Sequence, residues 1–114
     1  MTPSLQHALS EARAKVKFHY PWWMRPFLQR GVIGIALGRR IYIAPRMLER
    51  PAEEVEQLVR HELAHVRQVA RLGLIRFLWR YLAEYVALRR SGKSSSEAYN
   101  EISFEREARE AEKA

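Results

Sequence analysis

His61-Glu62-Leu63-Ala64-His65 reads H-E-x-x-H, a spacing with chemical content. At about 100° per residue, two histidines four apart sit about 40° apart on one helix face, one turn above the other, so both imidazoles reach a single ion. Glu62 lies beside them on the wheel, one residue off the ligand face, where its carboxylate can hold a water on the metal without ligating the metal itself. Zinc at such a site lowers the pKa of its water toward neutrality, which makes Glu62 the candidate general base. A chain of this composition matches the pattern by chance about 1–2% of the time, so spacing alone does not decide. In the plain alternative, His61 and His65 are ordinary helix residues and Glu62 pairs with Arg60 or Arg67.

The chemistry requires the motif to be helical, and the surrounding residues predict a helix. Pro51 suits its first position, Glu53, Glu54 and Glu56 lie near its positive end, Arg67 and Arg71 near the other, and Gly73 stops it. Val55, Leu58, Val59, Leu63, Val66, Val69 and Ala70 make a wide apolar stripe, which places the helix in the core. Upstream, Thr2-Pro3 opens a short amphipathic helix carrying Leu5, Leu9, Ala12 and Val16. His19 to Arg30, with Pro21 and Pro26 among Trp22, Trp23 and Phe27, predicts an irregular segment with three large rings to bury. Val32 to Leu37 and Arg40 to Ala44 flank Gly38-Arg39 as a hairpin that Pro45 ends. Downstream come a helix over Leu74 to Arg90, a break at Ser91-Gly92, a capping box of Ser94 with Glu97, and a helical tail from Phe104 to Ala114. The expected class is α+β, with a short hairpin and a mainly helical core.

At 114 residues the chain predicts one domain, 1–114, in which residues 1–30 are a candidate accessory or covering segment. The 47% hydrophobic content supplies a core, and 20 Lys+Arg against 13 acidic residues leave a formal charge of +7 that draws acidic partners. The chain lacks Cys and Asp, which excludes disulfide scaffolds, thiol catalysis, Cys-type zinc sites and Ser-His-Asp triads. No apolar h-region opens the chain, and Arg76, Arg80 and Glu84 interrupt its most apolar stretch, so the expectation is a soluble, cytoplasmic protein. Leu74 to Arg90 is apolar around much of its circumference and carries Arg76, Arg80, Arg89 and Arg90. That pattern suits a peripheral membrane or partner face, although a largely buried central helix is the more economical account of so small a domain.

A catalytic zinc site needs a third protein ligand. The extended pattern with Gly and His three and six residues after the second histidine is absent, since Gln68 and Arg71 stand there. No His follows His65, so a downstream ligand must be Glu84, Glu97, Glu101, Glu105, Glu107, Glu110 or Glu112.

The H-E-x-x-H followed by Phe104-Glu105-Arg106-Glu107-Ala108 resembles the gluzincin metallopeptidases, whose second helix bears a ligand Glu in a pattern like E-x-x-A-D. Matched residue by residue, the resemblance implies His61, His65 and Glu105 as zinc ligands, with Arg109 where the Asp usually stands. That departure matters, because the Asp commonly orients a zinc-binding His. Asn100 to Ala108 also resembles N-x-I-P-F-E-x-E-A of small uncharacterised HExxH proteins, with Ser103 in place of the Pro, and the size is similar to the minimal gluzincins. The resemblance spans Ile33 to Glu112 and implies a zincin-like core acting on a peptide or protein substrate. Flanked by Phe104 and Ala108, Glu105 can face inward while Glu107, Glu110 and Glu112 face water, and Glu101, one turn earlier, is the runner-up ligand.

Oxyanion stabilisation in such sites often falls to a Tyr, His or Arg, and Tyr99 is the first candidate, with Tyr20 and His19 behind it. Arg40 to Ala44 is a candidate edge for an added peptide strand, and Trp22, Trp23 and Phe27 are a candidate substrate wall, with plain structural roles open for each. Two other readings stand beside the peptidase: a basic module binding nucleic acid or an anionic surface, and a metal-binding protein without catalysis.

Overall fold

The computed structural model describes residues 1–27 and 33–113. Val32, at the expected start of the hairpin, the end of the irregular segment, the Phe27 ring and the last residue of the tail lie outside that description. The class is α+β: helices α1 (Pro3–Glu11), α2 (Ala52–Leu72), α3 (Leu74–Arg90), α4 (Ser95–Glu101) and α5 (Ser103–Ala111) surround strands β1 (Lys15–Lys17), β2 (Gly34–Leu37) and β3 (Arg40–Ile43).

The Thr2 hydroxyl caps α1 by accepting from the Leu5 amide, and Pro3 takes the first turn, where no intrahelical donor is lost. The helix is shorter than its apolar spacing predicts. Arg13 adopts the left-handed conformation at φ 55, and the chain then turns into β1, so Val16 belongs to a strand and not to a fourth turn of helix. β1 pairs parallel with β3, Val16 opposite Ile41, while β2 pairs antiparallel with β3 through a turn at Gly38, whose φ of 59 suits a residue without Cβ. The strand order is therefore β1-β3-β2. β3 occupies the centre of the sheet, which corrects the expectation that Arg40 to Ala44 is a free edge; the edge beside α2 is β2.

Two apolar clusters flank α2. Leu5 and Leu9 of α1, Ile41 and Ile43 of β3, and Val59, Leu63 and Val66 of α2 form the larger one. Burying side chains of this size contributes about 1.5–3 kcal/mol each. The smaller cluster, on the other side, joins Phe77 of α3 to Ile102 and Phe104. Gly73, at φ 83, ends α2 and lets α3 begin at once. Ser94 and Glu97 form the expected reciprocal capping box at the start of α4. Ile102, fully buried and extended at ψ 132, separates α4 from α5, so the tail helix begins at Ser103, one residue before the expected Phe104. α5 has no capping side chain of its own; Glu84 of α3 supplies one, accepting from the Ser103 amide at 3.0 Å and the Ser103 hydroxyl at 2.7 Å.

Several expected core positions are exposed. Trp22 is 81% and Trp23 49% exposed, so neither ring fills the core, and Met24 between them and Pro26 is the buried one. Ala70 is exposed at the end of the α2 stripe. α3 buries only Phe77, which overturns the largely buried central helix; Leu74, Ile75, Leu78, Trp79 and Leu82 all face outward.

Candidate metal centre

Each half of the site comes from one helix. His61 and His65, one turn apart on α2, are stacked edge to face with ring centroids 5.1 Å apart. α5 returns alongside α2 and presents Glu105 from its first turn, with Phe104 and Ala108 buried on either side of it. One oxygen of Glu105 lies 3.0 Å from His61 Nε2 and 3.1 Å from His65 Nε2. These three residues offer ligand atoms all within 4.8 Å of one another and could hold a metal ion. A tetrahedral ion bonded at about 2.0–2.1 Å sets its ligands roughly 3.3 Å apart, close to the two nitrogen-to-carboxylate distances already present.

The groups behind these three keep their ring and carboxylate orientations. His61 Nδ1 is 2.8 Å from Glu112 Oε2, and His65 Nδ1 is 2.9 Å from Gln68 Oε1, so both Nε2 atoms turn toward Glu105. Gln68 is fully buried, and its amide donates to the Phe104 carbonyl at 3.1 Å and to Glu107 at 3.0 Å, tying α2 to α5 at the residue before the ligand carboxylate. The Tyr81 hydroxyl donates to the second Glu105 oxygen at 2.7 Å.

Residues 1–73 match the family described as the eCIS core domain, well over half of the chain. The chain belongs to that family. No curated protein and no solved structure matches it. The eCIS core match takes in α1, the sheet and the H-E-x-x-H helix, and stops before the segment that carries Glu105. It names a domain and not an activity, so the gluzincin resemblance continues to rest on its two short motifs.

The other carboxylates that the elimination left open in this eCIS core protein have different partners. Glu101 pairs with Lys93 at 2.9 Å, Glu97 is in its capping box, Glu84 caps α5, and Glu110 pairs with Lys113. Glu107 and Glu112, expected to face only water, instead hold Gln68 and His61. Arg109 reaches back to the Asn100 carbonyl. The contact to a histidine that the resemblance would give to the position of Arg109 is made here by Glu112, three residues further on. Seven residues on a helix return to within about 20° of the starting direction, so Glu112 shares a face with Glu105, a relation legible in the sequence. Gln68, three after His65, was legible in the same way. Tyr81 had no such signal, because only packing brings α3 to Glu105.

Electrostatics follow from these contacts. Burial alone lowers the His61 pKa, but hydrogen bonds to Glu105 and Glu112 outweigh it and push it up to about 9; His65 is raised by the same balance, with Glu105 its main partner. Burial works to raise Glu105, yet the two histidines and Tyr81 hold it well below the usual carboxylate range. Burial pushes Glu62 up, against the lowering effect of the nearby His65 and His61. Burial and the Glu105 charge raise the phenols of Tyr81 and Tyr99, keeping both protonated.

Two hollows meet at Glu62. One, of about 530 Å³, runs past His61 and Glu112, and the other, of about 570 Å³, runs past His65, Glu105, Phe77 and Leu78; Gly34, Glu62 and Tyr99 line both. A Cβ at Gly34 would stand 3.4 Å from the Glu62 carboxylate, so the bare backbone of β2 leaves room above it. Of the candidate oxyanion donors, Tyr99 is at this junction. His19 packs edge to face on Tyr42, and Tyr20 lies against the larger core.

Proposed function

We propose that the protein is a zinc-dependent metallopeptidase of gluzincin type, with His61, His65 and Glu105 as ligands. The observation that carries the reading is the convergence of two Nε2 atoms on one carboxylate oxygen, each ring held from behind, beside the buried Glu62 at the meeting point of two hollows. The donor set of two imidazoles and one carboxylate suits zinc with a fourth position left for water. When bound, zinc lowers the pKa of water toward 7 and draws charge from a carbonyl oxygen.

The remaining steps belong to this chain's own residues. An extended peptide lies along β2, the edge strand, with its scissile carbonyl over the junction that Gly34 leaves open. Glu62, buried beside the ligands, accepts a proton from water as the water oxygen bonds to the carbonyl carbon. The Tyr99 phenol donates a hydrogen bond to the carbonyl oxygen as charge gathers there. Glu62 then passes its proton to the amine nitrogen as the C–N bond breaks, leaving an acid and an amine.

Zinc content by elemental analysis, measured beside cleavage of a peptide library, tests the reading. One zinc per chain is expected in the wild type and in Glu62→Gln, and none in His65→Ala or Glu105→Ala. Glu62→Gln should lower turnover by about 10²–10⁴-fold with its zinc retained. A wild type that takes up no zinc when zinc is supplied overturns the proposal, as does a zinc-loaded wild type that cleaves no peptide.

A further inference from the structure

The outer face of α3 carries an exposed apolar stripe. Leu78, Leu82, Ile75, Val86 and Trp79 fall within about 100° of one another on the wheel, and Ile75, 74% exposed, and Trp79, 68% exposed, are the most open of them. Isolated exposed apolar residues need no explanation, whereas five in one stripe over three turns mark a surface that is covered in use.

The charges beside the stripe select what covers it. Arg76 and Arg80 follow one side of it, and Arg89 and Arg90 close its C-terminal end. The single acid of α3, Glu84, faces inward to Ser103. Among the described residues no carboxylate lies within ion-pair distance of these four arginines, and Arg80 rests over the Phe104 ring at 5.9 Å. A second copy docked face to face would bring four more arginines to this region and no α3 carboxylate to meet them. A bilayer with anionic headgroups supplies both an apolar layer for the stripe and counter-charge for its border.

We propose that the outer face of α3 docks on an anionic membrane surface, with Ile75, Trp79, Leu82 and Val86 entering the headgroup boundary and Arg76 and Arg90 meeting lipid phosphates. No helix among the described residues is long and apolar enough to cross a membrane, so α3 would lie in the surface plane. Leu78 belongs both to the stripe and to the hollow beside His65, so docking holds that hollow at the lipid boundary.

The test is co-sedimentation of the full chain with phosphatidylcholine vesicles, with and without phosphatidylglycerol, accompanied by Trp79 fluorescence in a Trp22→Phe/Trp23→Phe background. Binding is expected on anionic vesicles, with blue-shifted emission, and at least tenfold weaker on neutral ones. Arg76→Gln/Arg90→Gln should weaken it about thirty-fold, on the basis of about 1 kcal/mol per cation at the surface. Ile75→Ser/Trp79→Ser should abolish it, and both side chains are exposed enough that circular dichroism should remain that of the wild type. No binding to anionic vesicles at physiological salt, or undiminished binding by Ile75→Ser/Trp79→Ser, overturns the proposal. A dimer in sedimentation equilibrium that Ile75→Ser/Trp79→Ser dissolves assigns the face to a second copy and overturns it equally. Zinc content should be the same in all these proteins, so this test and the peptidase test fail separately.

Discussion

Glu105 is buried at 3% exposure against His61, His65 and Tyr81, whose hydrogen bonds favour its charge and outweigh its burial, and that arrangement makes pH a direct probe of the site. In the metal-free protein, His61 has a folded pKa of about 9 against a model-peptide value near 6.5. Its raised pKa stabilises the fold fully below about 6.5, and the contribution is lost as pH rises through about 9. Glu105, with a depressed pKa, contributes above the ordinary carboxylate range and loses that contribution as pH falls. The metal-free Tm is therefore expected to fall between pH 6.5 and 9, a change that His61→Gln should flatten. Zinc affinity should run the other way, rising with pH over that interval, because the metal displaces protons from the imidazoles. Glu112→Ala, Gln68→Ala and Tyr81→Phe each leave the three candidate ligands in place but loosen one of them. Each should cost about 10–100-fold in zinc affinity by competition with a chelator, whereas Glu101→Ala, which removes only a surface ion pair, should cost nothing measurable.

At the scale of elements, the start of α5, which presents Glu105, is held from outside the helix. Ile102 anchors the break after α4, and Glu84 caps the helix across the gap from α3. Glu84→Ala should destabilise the fold by about 0.5–2 kcal/mol in chemical denaturation, the usual cost of losing a cap, and should reduce zinc occupancy along with it. β2 invites a different test. A side chain at Gly34 meets Leu58 at 3.1 Å and Glu62 at 3.4 Å, so Gly34→Val should crowd the junction and slow peptide cleavage while zinc remains bound. The helix boundaries around the motif were legible from Pro51, Gly73 and the Ser94 capping box, which act within a few residues of themselves. β1 was not: Lys15-Val16-Lys17 alternates as a strand does, but three residues form one only when β3 is already there to pair with them.

Across the whole molecule, α2 separates two cores and the candidate centre joins the second of them to the first. Zinc bound at the proposed ligands would tie α2 to α5, so saturation at a hundred times Kd should stabilise the fold by about 2.7 kcal/mol over the chelated protein. Glu105→Ala should lose most of that difference, read as Tm with and without chelator. The family match ends at residue 73, yet Glu105, its cap and Tyr81 all lie beyond that point. By itself the sequence determined the α+β class, the helix carrying H-E-x-x-H and the face shared by His61 and His65, since these depend on local spacing and nearby chain punctuation. Singling out Glu105 before the structure required a family resemblance, because several glutamates met the chemical requirement equally. Only the tertiary structure brought Glu105 and Glu112 against the histidines, put Tyr81 on Glu105, made β3 interior and turned the apolar side of α3 outward. Each of these depends on which elements pack together, and periodicity along one helix does not say which of two apolar faces finds a partner.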